Sequence, residues 1–512
     1  MSIDNRTSNS EFEARRDVAK GAGTVFLAKT GSVIEIITQP AYTWMFGLAT
    51  YGLYSVLWSL VNLLENIADL AMTAALQRVL PKMEEAEARA AVIKAAFILG
   101  VLPCLVLAFL ISINADQLAP LFNVADKDLA QLETGITLFI WALPLWASLE
   151  IATSALRACQ AFGPEIRLRL LWEQLSRFVL AVLLWSFGVD TLALLIAHLM
   201  SLILTTFLSL RLLHKYCDLK LAWRCNISYS IYRDLFLSGL SVLPANVLSR
   251  MFVDMPAIVL NFSLPGAAGA NASGLYSIAR KLASIPQLVR SVFSHVVSPV
   301  GAASVNREQR AAQALYTFSI RLSLLLALPT AMALIMAADT MLALFVTGAA
   351  AAWPVVVILT TARGFEAAFG PASALQQVIS HRGLPILNSA IGFLVAMIVL
   401  LITFSDYQTV GMAFAVASGQ LVIAFMSVWQ LAKTEGLKPF DGSFKRLVIG
   451  ASLACLLIFL TGLTMNSAPA LVKALAITLS YLLALWLSVR FALPVKDRDA
   501  LGKLGRRLKL SS

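Results

Sequence analysis

Charged residues recur inside long apolar stretches of this chain, where they need a chemical explanation. The stretch 273–299 contains Arg280, Lys281 and Arg290 and no acidic residue. At 3.6 residues per turn, one continuous helix would place Lys281 and Arg290 on either side of Arg280, forming a broad basic face. A charge facing lipid would cost about 2.5–3.5 kcal/mol, so these side chains are expected to face a cavity. Because guanidinium groups bind phosphate oxygens in a bidentate manner, we predict an anion site, with Arg290 as its deepest candidate.

Two other basic residues extend this candidate site. Arg250 lies in the stretch 235–262 and is four residues from Asp254, so the two can pair on one helix face. Lys29 lies at mid-depth in the stretch 18–40. It either joins the anion site or pairs with Glu35.

Three other intramembrane charge arrangements have simpler explanations. Glu173 and Arg177 are spaced i,i+4, and Arg363 and Glu366 are spaced i,i+3, so each pair is predicted to neutralise itself. Arg321 lies near one end of its stretch and is expected to extend to the membrane interface.

Among the charges inside the apolar stretches, acidic residues predominate in the first six stretches. Glu65 and Asp69 are spaced i,i+4 on one face of the stretch 48–76, where like charges repel. Either they form a coupling site for H⁺ or Na⁺, or they form interhelical ion pairs that fix the packing. Together with Glu35 and Asp254 they are the candidates for ion coupling.

Composition excludes several classes of protein. Of 512 residues, 59% are hydrophobic and 13% charged, whereas soluble chains have about 25% charged residues. The net charge of +11 is expected to lie against the lipid bilayer, with no nucleic-acid partner. The five cysteines have no CxxC spacing and the four histidines are far apart, so we expect neither a disulfide framework nor a metal site. The absence of a phosphate-binding loop, of a nucleophile motif and of a soluble catalytic domain disfavours an ATPase or a membrane-bound hydrolase.

The elements that position these charges are predicted to be about fourteen transmembrane helices. The apolar stretches cover approximately 18–40, 48–76, 94–113, 132–156, 166–187, 191–213, 235–262, 273–299, 312–337, 353–379, 384–405, 409–431, 446–464 and 470–490. When residues within three positions of a stretch end are counted with the adjoining segment, Lys and Arg number 30 in the odd-numbered connecting segments and 2 in the even-numbered ones. Since cytoplasmic segments retain positive charge, both termini are predicted to be cytoplasmic.

An internal repeat organises these spans. Residues 52–55 read Gly-Leu-Tyr-Ser, and so do residues 274–277, which are 222 positions later. Because six spans separate the two copies, we predict two parallel six-helix lobes followed by two extra helices. The predicted organisation is a tail 1–17, an N-terminal lobe 18–213, a linker 214–234, a C-terminal lobe 235–431, two helices in 446–490 and a basic tail 491–512.

Two segments resemble a known family. Residues 51–55 with Asn62, 68–70, 75–78 and Pro81 resemble the second helix of the polysaccharide (O-antigen, Wzx-type) flippases, which belong to the multidrug/oligosaccharidyl-lipid/polysaccharide exporter superfamily. Residues 274–282 with Pro286 and Pro299 resemble the eighth helix of that family.

This resemblance implies an all-α membrane transporter of the bacterial inner membrane with a central cavity. Its substrate would be an undecaprenyl-pyrophosphate-linked oligosaccharide, moved outward by alternating access. No cofactor would be needed, although transport could be coupled to H⁺ or Na⁺. A polysaccharide polymerase and other assembly proteins would be partners. The alternatives are a cation-coupled drug exporter of the same superfamily, an enzyme such as a membrane glycan polymerase or ligase, and a scaffold without transport.

Overall fold

A computed structural model describes residues 31–159, 167–217, 219–291, 309–381, 383–440, 442, 444–501 and 505, and these residues contain helices and no strands. They divide into two compact units, an N-terminal unit of residues 31–277 and a C-terminal unit that contains the described residues from 278 onward. The predicted all-helical membrane fold is confirmed. The predicted lobe boundaries stay predictions.

The N-terminal unit begins with α1 (Gly31–Phe46), a helix that contains Pro40. The helices that follow are α2 (Leu48–Ala68), α3 (Met72–Val79), α4 (Ala86–Ile113), α5 (Ala115–Leu118), α6 (Asp126–Phe139), α7 (Ala142–Ala158), α8 (Glu173–Ser186), α9 (Ala193–Tyr216), α10 (Leu219–Arg224), α11 (Tyr229–Leu240), α12 (Leu243–Ser263) and α13 (Gly266–Leu282). A short π-helical segment, Leu168–Trp172, precedes α8. The division between the units falls within α13, after Ser277.

The C-terminal unit contains six further helices. They are α14 (Gln309–Leu342), α15 (Trp353–Ile379), α16 (Gly383–Thr434), α17 (Phe444–Thr464), α18 (Ala470–Ala492) and α19 (Val495–Ala500). The long α16 is two helices joined at Gln408, whose φ of 42° and ψ of −109° are not helical. This kink lies between the predicted eleventh and twelfth spans.

Three of the predicted spans are interrupted. The second is broken after Ala68, where Leu70 and Ala71 have φ values of 53° and 56°. The seventh is divided between α11 and α12. In the eighth, α13 ends at Leu282, and helical residues resume at 285 after a two-residue turn.

Nine helices in the described part of the chain are long and apolar enough to cross a membrane, judged by length and composition alone. One of them is α16, which covers two predicted spans, and another combines α6 and α7. The described helices α1, α8 and α13 have 16, 14 and 17 residues, fewer than the approximately 20 that a span needs. The count of fourteen and the cytoplasmic location of both termini remain predictions.

A close helix crossing organises the N-terminal unit. Gly52 of α2 and Gly274 of α13 are equivalent positions of the repeat, and they face each other. A Cβ atom at Gly52 would overlap the carbonyl oxygen of Ala270 and lie 3.0 Å from the backbone nitrogen of Gly274. The absence of side chains at both positions therefore allows the two backbones to approach closely.

Two ion pairs attach the C-terminal helices to α14. Lys473 of α18 donates to Asp339 at 2.5 Å. Arg321 donates to Asp497 of α19 at 2.5 Å, and the two side chains are 12% and 0% exposed. Arg321 is thus paired inside the unit with a partner that the sequence did not predict, and its depth in the membrane stays a prediction.

Candidate functional site

Arg290 lies in the helical residues that follow the break in the eighth span, and its side chain crosses α15. Its guanidinium group forms an ion pair with Glu366. A Cβ atom at Gly370, one turn after Glu366, would lie 2.5 Å from Cγ of Arg290, so the bare backbone makes room for the arginine stem. The Arg290 side chain remains 41% exposed, whereas that of Glu366 is 11% exposed. This arginine is therefore both anchored and accessible.

Glu366 has a second donor from the same segment. Gln287 Nε2 donates to Oε2 of Glu366 at 3.2 Å, so the carboxylate holds two side chains that lie one turn apart. We predicted that Glu366 would pair with Arg363 on its own helix. In the structure, Glu366 accepts instead from Gln287 and Arg290, and Arg290 lies 76 residues earlier in the sequence.

The predicted basic face is interrupted by the turn at Ala283 and Ser284. Ser284 donates from its hydroxyl group to the carbonyl of Lys281 at 2.6 Å, which closes the end of α13. Since the helix is not continuous here, the rotation of 100° per residue cannot be carried from Arg280 to Arg290. The prediction of one uninterrupted basic face is wrong for this reason.

Arg280 and Lys281 form the last turn of α13, and both are half-buried. Arg363 of α15 is 4% exposed and donates to the carbonyl oxygen of Arg280 at 2.6 Å. This contact connects α15 to the end of α13. The C-terminal unit thus brings four basic side chains to α15 and the broken eighth span, together with Glu366.

Asp69 lies at the break between α2 and α3. Its carboxylate accepts a hydrogen bond from the backbone nitrogen of Ala71 at 2.8 Å, and its own carbonyl accepts from Met72 at 3.0 Å. Asp69 thereby satisfies backbone groups that the left-handed residues leave outside the helix. Glu65, one turn earlier, is also buried. Sequence spacing predicted the proximity of the two acids but not the structural role of Asp69.

Other charges of the N-terminal unit lie around Asp69. Glu150 of α7 and Arg250 of α12 are near enough to act electrostatically on its carboxylate. Arg250 also pairs with Asp254 at 3.9 Å, as the spacing predicted. The Arg250 side chain is 37% exposed and that of Asp254 is 3% exposed. Four carboxyl groups and one arginine thus form an acidic cluster in the N-terminal unit, comprising Glu65, Asp69, Glu150, Arg250 and Asp254.

A second buried network was not predicted in full. Arg177 pairs with Glu173, as expected, and it also donates to the hydroxyl group of Tyr54 at 3.2 Å. That hydroxyl group lies 3.0 Å from Nδ1 of His198, whose ring is 4.2 Å from the ring of Trp58. A single histidine in an apolar stretch gives no sign of these partners, because they come from other helices.

Two predicted site residues are not tested by this geometry. Lys29 lies outside the described residues. Glu35 belongs to α1, and its side chain also lies outside the described part of the chain.

Comparison with known proteins relates this architecture to a family. Residues 18–304 match the sequence profile of the family described as "Polysaccharide biosynthesis protein". The chain belongs to this family. The resemblance to polysaccharide flippases inferred from the two motif segments is thereby confirmed. A relative, the "Succinoglycan biosynthesis transport protein ExoT" of Rhizobium meliloti (strain 1021), is 27% identical over 354 residues, which are 68% of this chain and 67% of that protein.

Solved structures of transporters share the fold of this family member. "Lipid II flippase MurJ, inward closed conformation" has a TM-score of 0.70 and 14% identity, and the match covers 91% of this chain and 97% of that chain. An inward-facing multidrug resistance MATE family transporter of the MOP superfamily has a TM-score of 0.62 and 14% identity, and the match covers 84% and 98% of the two chains. These similarities establish the fold, within which the basic and acidic clusters are features of this chain.

Proposed function

We propose that this protein is a flippase that moves an undecaprenyl-pyrophosphate-linked oligosaccharide from the cytoplasmic to the outer leaflet of the bacterial inner membrane. The family and its similarity to a succinoglycan transport protein support a substrate that is a polysaccharide precursor. Alternating access would move the headgroup while the polyprenyl chain stays in lipid. A polysaccharide polymerase and other assembly proteins would act on the product.

The accessible Arg290 carries the proposal for pyrophosphate binding. A guanidinium group has five N–H donors, and the pair with Glu366 leaves 41% of the side chain exposed. Pairing with Glu366 reduces the cost of keeping the cation in a low-dielectric environment before substrate arrives. Arg280, Lys281 and Arg250 are the additional basic groups proposed to contact the phosphates. Lys29 stays in this proposal on the basis of sequence alone.

The direction of transport has a physical driving force. With the cell interior negative, moving an anionic headgroup outward is favourable by about 2.3 kcal/mol per charge per 100 mV. No nucleotide hydrolysis is therefore required.

We also propose that the acidic cluster couples transport to H⁺ or Na⁺. Glu65, Asp69 and Asp254 are each at most 3% exposed, and clustered carboxyl groups favour the binding of a proton or a cation. Glu35 stays in the proposed set from sequence. The variants Glu65→Gln and Glu65→Ala test this: transport should lose its acceleration by an imposed H⁺ or Na⁺ gradient and keep its dependence on voltage. Unchanged acceleration by both gradients would contradict the coupling role.

The transport function is tested in vesicles that contain the purified full chain and a fluorescent undecaprenyl-pyrophosphate oligosaccharide. We expect protein-dependent movement between leaflets that accelerates when the substrate-donor side is negative. The matched arm uses a lipophilic cationic dye at the same potential. Protein-dependent movement of the dye, without protein-dependent movement of the glycolipid, would favour a drug exporter and contradict the proposal.

A further inference from the structure

Two cysteines that are far apart in sequence meet at the ends of two helices in the N-terminal unit. Cys159 directly follows α7, and Cys217 directly follows α9. Their sulfur atoms are 3.6 Å apart. Both residues are half-buried, in contrast to the buried Cys104 and Cys225. The pair is therefore near enough to react and accessible to a small oxidant.

A cation lies beside one of the two thiols. Nη2 of Arg89, in α4, is 3.9 Å from Sγ of Cys159, a distance compatible with an N–H donor to sulfur. The hydrogen bond with Cys217 is the main cause that lowers the pKa of the Cys159 thiol to about 6, and Arg89 adds to this effect while burial opposes it. The same hydrogen bond raises the pKa of Cys217. The two thiols thus have different chemical roles.

We propose that Cys159 and Cys217 are a redox-modification site, in which Cys159 reacts with a hydroperoxide and Cys217 then closes a disulfide. The Cys159 thiolate attacks one peroxide oxygen, the O–O bond breaks, and a sulfenic acid and hydroxide (or water) form. Cys217, deprotonated as it attacks, then bonds to the sulfenic sulfur and water leaves. Two thiols and one hydrogen peroxide are converted to one disulfide and two waters.

The geometry suits the second step. A disulfide requires sulfur atoms about 2.0 Å apart, so the two atoms must approach by about 1.6 Å. Both residues lie just beyond helix ends. The new bond would tie the end of α7 to the end of α9, on the side predicted to be cytoplasmic. This site is independent of the proposed transport function.

The test treats the full-length protein in detergent with limiting hydrogen peroxide at pH 7, then maps peptides without reduction. We expect a Cys159–Cys217 cross-linked peptide that dithiothreitol reverses, while Cys225 and Cys455 remain thiols. The initial labelling of Cys159 by iodoacetamide should be about tenfold faster than that of Cys455, following its larger thiolate fraction. The labelling rate of Cys159 itself should change little with pH above about 6 and should fall as the pH falls below that value.

Two variants separate the roles of the thiols. Cys217→Ser should leave Cys159 as a sulfenic acid that dimedone traps, and Arg89→Gln should slow the oxidation of Cys159. Failure of the wild-type protein to form the cross-link, or equal oxidation of Cys455, would overturn the proposal. Because both outcomes are measured in the unmodified sequence, they do not depend on whether a variant folds.

Discussion

At the scale of single residues, the binding role proposed for Arg290 imposes two opposing requirements. A guanidinium group in a low-dielectric environment needs an anionic partner, whereas a binding residue must stay open to its ligand. Glu366 meets the first requirement by forming the ion pair. The second requirement is met because the Arg290 side chain remains 41% exposed. Gly370 makes this arrangement possible, since its bare backbone leaves room for the stem of Arg290 to lie across α15.

The substitution Gly370→Ala tests this positioning without removing a charge. The new Cβ atom would lie 2.5 Å from Cγ of Arg290, so the side chain must move. We expect weaker substrate binding, by about tenfold if one charge-assisted hydrogen bond is lost. The measurement is the affinity for the fluorescent glycolipid.

The matched control for this prediction is Gly442→Ala. A Cβ atom at Gly442 would meet nothing within 4 Å, so both binding and stability should be unchanged. Equal affinity for Gly370→Ala and the wild type would show that the position of Arg290 does not depend on this glycine.

Sequence predicted the candidate residue better than its partner. Arg290 could be identified because its own apolar stretch contains no acid. Its partner Glu366 is 76 residues away, whereas helical spacing predicts a pair between Glu366 and Arg363. Helical periodicity compares residues within one helix, so it carries no information about which side chain of another helix is near. The same limit concealed the Cys159–Cys217 contact, which spans 58 residues.

At the scale of helices, the crossing of α2 and α13 depends on two glycines of the repeat. Any side chain at Gly52 would overlap the carbonyl of Ala270, which is backbone and cannot move by changing rotamer. We expect Gly52→Ala to reduce the free energy of unfolding by about 1–3 kcal/mol, as overpacking commonly does. Thermal unfolding in detergent measures this loss. Stability equal to that of Gly442→Ala would contradict the close crossing.

The docking of α19 depends on the buried pair of Arg321 and Asp497. Removing the acid in Asp497→Ala leaves a cation that is 12% exposed without this anionic partner, and breaking such a pair costs about 3–5 kcal/mol. The loss should be visible as a lower unfolding temperature of the C-terminal unit.

Asp499→Ala provides the control for Asp497→Ala, because it removes the same charge from the same helix at a half-buried position. The double variant Arg321→Met/Asp497→Leu should recover stability, since it removes both charges together. Equal destabilisation by Asp497→Ala and Asp499→Ala would exclude a specific role for the ion pair.

Many helix positions were predictable, whereas the interruptions were not. The predicted tenth span, 353–379, coincides with α15, and the predicted gap between 405 and 409 contains the kink at Gln408. The helix break at Leu70 and Ala71 contains neither proline nor glycine, the residues from which a break can be predicted. It is stabilised by a side-chain cap from Asp69, a residue that sequence patterning treated only as a charge.

At the scale of the whole molecule, the charges inside the helices divide by sign. The N-terminal unit holds the acidic cluster around Asp69, and the C-terminal unit holds the basic groups around α15. Sequence alone predicted this asymmetry, because a charge in an apolar stretch is conspicuous whatever its partner. We propose that the basic groups around α15 bind a phosphate-linked substrate and are not merely structural ion pairs.

The most direct test of this claim measures binding and transport of the pyrophosphate-linked glycolipid by Arg290→Ala, Arg290→Lys and Arg211→Ala. Arg211 is an exposed arginine of α9 and controls for the loss of one positive charge. We expect Arg290→Ala to bind about 10–100-fold more weakly, Arg290→Lys to be intermediate, and Arg211→Ala to match the wild type. Wild-type affinity and transport in Arg290→Ala would contradict the claim.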